Sequence, residues 1–145
     1  MPRPLLYDTT ALIAAIRDPA RLPAIHRAAL SGRHYLTAIT IAELQSGARS
    51  PQQAALIERL AMLFARHGAL LAPRADEWAA AGRLIARAIR RRCAMEPRDH
   101  YPDVLIAQVA GRLGAAIVTD NASDLRFWVA LGRLDARVAE RSDDA

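Results

Sequence analysis

Four acidic residues sit where the chain passes from an apolar run into a polar stretch or a helix start: Asp8, Glu43, Asp103 and Asp120. They come from widely separated parts of the chain. In an α/β protein such positions gather at one edge of the sheet, where ligands bind. Carboxylates crowded into one crevice repel each other unless a cation sits among them, and hard oxygen donors suit Mg2+ or Mn2+. The chemistry this points to is metal-dependent and directed at phosphates. The carboxylates hold the ion, the ion acidifies water, and its charge offsets the charge that builds on a phosphodiester under attack.

Each acid, taken singly, is also explained by capping. Asp8 is placed to cap the helix that follows it. Thr40-Ile41-Ala42-Glu43 reads as a capping box, with Glu43 reaching back to the Thr40 amide. Asp103 follows Pro102 in what reads as a first helical turn, where the macrodipole favours negative charge. Asp120, Asn121, Ser123 and Asp124 are ordinary turn and cap residues. Capping does not require that every one of these positions be an acid, whereas a metal site does.

The elements that must position the acids are short. Leu5-Leu6-Tyr7 reads as a buried first strand and residues 10–16 as a helix, broken by Asp18-Pro19. A second helix is expected from Leu22 to Leu30, a strand over Tyr35-Leu36-Thr37 and a helix from Ile39 to Ala48. Pro51 opens another helix, which Gly68 stops. Ala69-Leu70-Leu71 is a third strand candidate, and residues 75–92 form a long helix. Residues 93–100 read as a polar loop, so Pro102 is expected to open the next helix and to separate Asp99 from Asp103. Gly114 stops that helix. Ala115-Ala116-Ile117-Val118 is the clearest buried strand, followed by a short helix near residues 124–131 and an edge strand at residues 136–138. Strands alternating with helices imply an α/β fold with a short, mostly parallel central sheet flanked by helices. A single domain over residues 1–140 is expected, with a frayed tail at residues 141–145.

Composition narrows the chemistry. The 145 residues suit one domain, and 52% hydrophobic content gives it a core. All 20 basic residues are Arg. The absence of Lys fits a GC-rich genome, and it also removes Walker-type nucleotide binding and Schiff-base chemistry. A net charge of +5 favours polyanions such as RNA, whose phosphates Arg binds bidentately. The single cysteine, Cys93, excludes an internal disulfide and a cysteine zinc cage. No run reaches the length of a membrane span and no signal-peptide core is evident, so a cytoplasmic setting is expected.

Taken in order, four segments resemble the PIN-domain nucleases, most closely the VapC-type toxins of toxin–antitoxin pairs. Leu5-Leu6-Tyr7-Asp8-Thr9-Thr10-Ala11-Leu12-Ile13 resembles the opening "LLDTNVLI". The segment from Ala38 to Gly47 resembles "SxITxAELxxG", Asp103-Val104-Leu105-Ile106-Ala107 resembles "DxxIAA", and residues 117–125 resemble "LVTxNxxDF". The resemblance implies a PIN-like fold and an Mg2+- or Mn2+-dependent endoribonuclease. Asp8, Glu43 and Asp103 would be the central metal-binding acids, with Asp120, Asn121 or Asp124 completing the site and Thr119 orienting a water. It also implies 5′-phosphate and 3′-hydroxyl products, a cognate antitoxin and a homodimer, with residues 11–30 and 51–66 as the candidate partner surfaces. One departure stands out: Thr10 replaces the Asn of the "DTN" opening.

That departure is the only support for a rival, a catalytically impaired RNA-binding or protein-interaction domain. A second rival, a phosphatase using Asp8 as nucleophile, lacks both a DxDxT opening and a Lys. The run Arg90-Arg91-Arg92 reads as a solvated helix end rather than an RNA-guiding patch. His26, His34, His67 and His100 form no metal-spaced pair, and His100 reads as a surface-loop residue. Trp78 and Trp128 read as core or interface aromatics.

Overall fold

The computed structural model describes residues 2–91 and 95–140. The expected frayed tail at residues 141–145, together with Arg92 and Cys93, lies outside the described residues. The elements run β1 (Leu5–Tyr7), α1 (Thr9–Arg17), a short 3-10 turn (Pro19–Arg21), α2 (Leu22–Leu30), β2 (His34–Thr37), α3 (Ala38–Ser46), α4 (Pro51–Arg66) and β3 (Leu70–Leu71), then α5 (Ala75–Arg91), α6 (Pro97–Leu113), β4 (Ala116–Thr119), α7 (Ala122–Gly132) and β5 (Arg137–Glu140).

The five strands form one parallel sheet in the order β3-β2-β1-β4-β5. The chain builds outward from β1 in one direction through β2 and β3, then returns to the other side of β1 as β4 and β5. Such a reversal opens a crevice beyond the carboxyl ends of the two strands that flank it. Here those strands are β1 and β4, paired Leu5↔Ala116 and Tyr7↔Val118.

Parallel strands are covered on both faces, which is why their sequences are apolar throughout rather than alternating. Leu6 pairs with Ile117, and both join Ile106, Val109 and Leu125 in a cluster with α6 and α7. Leu36 packs on the other side with Leu12, Leu44, Ile57, Leu60 and Phe64 from α1, α3 and α4. A third cluster joins α5, α6 and α7 around Trp128. Trp128 is buried as expected, whereas Trp78 is half exposed and tilted against Tyr101.

Two local expectations are corrected. Residues 97–100 are not a loop: α6 starts at Pro97 and runs unbroken past Pro102 to Gly114, whose φ of 63° ends it. Pro97 occupies the first turn, where a missing N–H costs nothing. Pro102 forfeits one bond near the helix start, and the burial of Val104, Leu105, Ile106 and Ala107 outweighs that loss. Asp99, His100 and Asp103 therefore share one helix. Nor is there a capping box at Glu43. Thr37 is the N-cap of α3, accepting from the Thr40 amide at 3.1 Å, and Glu43 lies one turn further on. Glu43 and Asp103 both occupy second turns rather than first ones.

Candidate active site

The crevice beyond β1 and β4 is built from six elements. β1 ends at Tyr7, and Asp8 caps α1, its Oδ1 accepting from the Ala11 amide at 3.1 Å. Asp8 is therefore the N-cap of α1 while it stands at the mouth of the crevice. Asp8 is 3% exposed and is held by hydroxyls as well. Thr10 Oγ1 donates to Oδ1 at 2.8 Å, and Thr119 Oγ1, at the end of β4, donates to Oδ2 at 2.5 Å. The Thr119 proton is thus committed to Asp8. Each hydroxyl is itself oriented by a backbone donor, Thr10 by the Asp120 amide at 2.9 Å and Thr119 by the Asn121 amide at 2.8 Å.

From α3, released from any capping duty, Glu43 reaches toward α1. Its Oε1 accepts from Thr9 Oγ1 at 2.6 Å. Sequence reasoning gave Thr9 no role; the signal available was a hydroxyl directly beside Asp8. From α6, Asp103 points into the same region, and from α7 comes Asp124, whose Oδ2 accepts from Asn121 Nδ2 at 3.2 Å.

The electrostatics show which acids converge. The Asp103 carboxyl is pushed up to about 6, first by burial and then by the negative charges of Asp8, Asp124 and Glu43, with His100 acting in the opposite sense. Burial also raises Asp8; its hydroxyl and amide donors oppose that rise, and the charge of Asp120 adds to it. Asp103 therefore sits among Asp8, Glu43 and Asp124, while Asp120 acts on Asp8 from an exposed turn. Of the two candidates for the last acid, Asp124 is the one whose field reaches Asp103. His100 is not a loop residue: it is half-buried on α6, tilted against Trp128 with ring centroids 5.6 Å apart.

Among the described residues, His100 is the one group that electrostatically opposes the rise at Asp103. The ion pairs among the described residues, Arg3–Asp135, Arg21–Asp18, Arg98–Glu96 and Arg112–Glu77, leave out all four converging acids. An all-oxygen carboxylate set, with Asp8 and Asp103 held above the usual carboxylate range, fits a hard divalent ion by charge and donor type. The fit is not that of a closed cage, because no three His, Cys, Asp or Glu side chains among the described residues form a metal-holding group as they stand.

The PIN domain pattern matches residues 5–126, a span that contains all five acids. The chain belongs to the PIN domain family. Solved structures with this PIN fold include a DNA-bound VapBC from Salmonella typhimurium, at 20% identity over 95% of this chain and 98% of that one, with a TM-score of 0.65. VapBC2 from Rickettsia felis, bound to a promoter DNA fragment, matches at 17% identity over 94% and 97%, with a TM-score of 0.62. VapBC-1 from nontypeable Haemophilus influenzae matches at 20% identity over 94% and 96%, with a TM-score of 0.62. No curated protein sequence matches the chain.

Proposed function

We propose that this PIN domain is a metal-dependent endoribonuclease and the toxin of a toxin–antitoxin pair. The observation that carries the reading is the convergence of Asp8, Glu43 and Asp124 on Asp103, from separate elements, at the sheet's switch point. Asp8, Glu43, Asp103 and Asp124 would hold Mg2+ or Mn2+, with Asp120 in the surrounding field. When bound, such an ion supplies positive charge to a phosphodiester in the transition state and makes water a better nucleophile. The chain's own part is to fix Asp8 through hydroxyls, to keep Glu43 in place through Thr9, and to draw RNA with an all-Arg basic surface. Thr10, the one residue that favoured a non-catalytic domain, is bonded into the site, which supports the catalytic reading.

An antitoxin has a surface to meet. A groove of about 630 Å³ runs between α2 and α4, with Leu22, Ile25, Leu60 and Leu63 as floor and Arg59 and Arg66 at its edge. It fits an amphipathic segment with an acidic rim. VapBC complexes of this fold support such a partner. Homodimerisation belongs to the same reading. Among the described residues no helix is long and apolar enough to cross a membrane, and we place the protein in the cytoplasm.

The test is incubation of purified, antitoxin-free protein with a structured RNA mixture and Mn2+ or Mg2+. Cleavage should be lost with chelator and with Asp8→Asn. Cleavage that survives Asp8→Asn would place the activity elsewhere, and RNA binding without cleavage in either metal would favour the impaired-domain alternative.

A further inference from the structure

Thr10 does more than replace an amide. Its hydroxyl has one proton, and that proton goes to Asp8 Oδ1 at 2.8 Å. Its lone pair receives the Asp120 amide at 2.9 Å, 110 positions away in the chain. Thr119 does the equivalent on the other oxygen: it donates to Asp8 Oδ2 at 2.5 Å and receives the Asn121 amide. The two hydroxyl oxygens stand 3.3 Å apart. Since both protons point at the same carboxylate, this contact is a juxtaposition rather than a bond between them. Asp8 is therefore gripped from α1 and from β4 by two hydroxyls whose rotation is fixed by backbone donors of the β4–α7 turn.

The grip has a consequence for acceptor capacity. A carboxylate offers about two lone pairs on each oxygen. Oδ1 receives Thr10 and the Ala11 amide, so it is filled. Among the described residues, Oδ2 receives Thr119 alone. Oδ2 is thus the oxygen with capacity to spare, and its direction is set by Thr10 and Thr119 together.

We infer that Thr10 is a positioning residue for the metal site, aligning Asp8 so that Oδ2 faces the ion, and that its hydroxyl joins the α1 start to the β4–α7 turn carrying Asp120. This rests on the metal-nuclease reading above and gives Thr10 a role exerted through Asp8. Groups that orient a metal-ligating side chain typically matter by about 10- to 100-fold in metal affinity or activity.

The experiment compares the full-length chain with Thr10→Val, which keeps the shape and removes the hydroxyl, and with Thr10→Ser, which keeps the hydroxyl. Mn2+ affinity is measured by titration calorimetry, RNA cleavage by separate kcat and KM, and folding by thermal midpoint in chelator. Thr10→Val should weaken Mn2+ binding about 10- to 100-fold and lower kcat while leaving the KM for RNA unchanged, and Thr10→Ser should restore both. Should Thr10→Val not fold, Thr10→Cys, with only a weak donor in place of the hydroxyl, carries the same comparison. Unchanged Mn2+ affinity in the folded variant, with or without a lower thermal midpoint, overturns the inference and leaves Thr10 a structural link. If the unsubstituted chain itself neither takes up Mn2+ nor cleaves RNA, the metal-nuclease reading fails and the inference falls with it. If it does both and Thr10→Val matches it, only the inference falls.

Discussion

Two buried acids of this chain are satisfied in opposite ways. Glu77 on α5 is 5% exposed and is met by a protein cation: Arg112 donates from Nε to Oε2 at 3.1 Å and from Nη2 to Oε1 at 3.0 Å. The Arg74 amide adds a third bond at 2.8 Å. Asp8 is as deeply buried, yet its partners are hydroxyls and an amide, and its neighbour Asp103 faces two further carboxylates besides it, Glu43 and Asp124. A bidentate Arg–carboxylate pair closes its own charge balance. A cluster of carboxylates does not, and it is most stable when an outside cation enters or a proton binds. Glu77 belongs to the fold, and on the proposed metal-nuclease reading the acids at the sheet edge await an outside cation.

The sharpest way to break this contrast is to cut each region once. Asp8→Asn should lower metal-dependent RNA cleavage by at least about 100-fold while the protein still folds, because an amide preserves most of the cap and hydroxyl contacts. Arg112→Ala should do the reverse. It strands Glu77 without its cation, which costs about 3 kcal/mol for a pair this buried, and cleavage per folded molecule should stay near that of the parent. Thermal melts beside single-turnover cleavage separate the two effects. If Arg112→Ala removed activity without loss of stability, the division between the regions would be wrong.

A finer version of the contrast lies within the acidic edge. Asp124 reaches Asp103 electrostatically, whereas Asp120 reaches Asp8, and both are exposed. Asp124→Asn should therefore weaken Mn2+ binding by about 10-fold or more, and Asp120→Asn by a few-fold at most. Calorimetric titration of both variants orders them, and a larger effect at Asp120 would reverse the assignment.

Much of this was legible from the chain. Short apolar runs such as Leu5-Leu6-Tyr7 and Ala115-Ala116-Ile117-Val118 mark strands buried on both faces, and an acid directly after β1 fixes Asp8 at the sheet edge. What escaped depends on geometry that residue spacing does not encode. Pro102 reads as a helix start because a lone proline usually is one; only the packing of the next turn keeps it inside α6. The Thr40–Glu43 spacing fits a capping box, but α3 begins at Ala38, directly after β2, so the cap is Thr37, three residues back. Asp120 and Asp124 differ by where α7 begins: at Ala122, so that Asp124 lies in its first turn and Asp120 in the turn before it. The Glu77–Arg112 pair spans 35 residues between two helices whose contact no local pattern announces.

The smallest effect tests the idea that the acidic edge is strained without a cation. The Asp103 carboxyl binds its proton more tightly folded than unfolded, at about 6 against the 3.8 of an ordinary aspartate. A carboxylate raised in this way opposes folding when ionised. Between about pH 4 and 6 the folded state holds more protons than the unfolded state, so stability falls as pH rises through that window. Below it the group is neutral in both states and costs nothing; above it the full cost applies. Asp103→Asn removes the ionisation. In chelator, the variant should match the parent near pH 4 and melt higher at pH 7.5, by about 3 °C for a penalty of about 1 kcal/mol after solvent screening. Mn2+ at pH 7.5 should then raise the parent's midpoint more than the variant's, since the ion relieves a repulsion that the variant no longer carries. A variant that melts lower than the parent at pH 7.5 in chelator would show that Asp103 is satisfied within the chain, as Glu77 is.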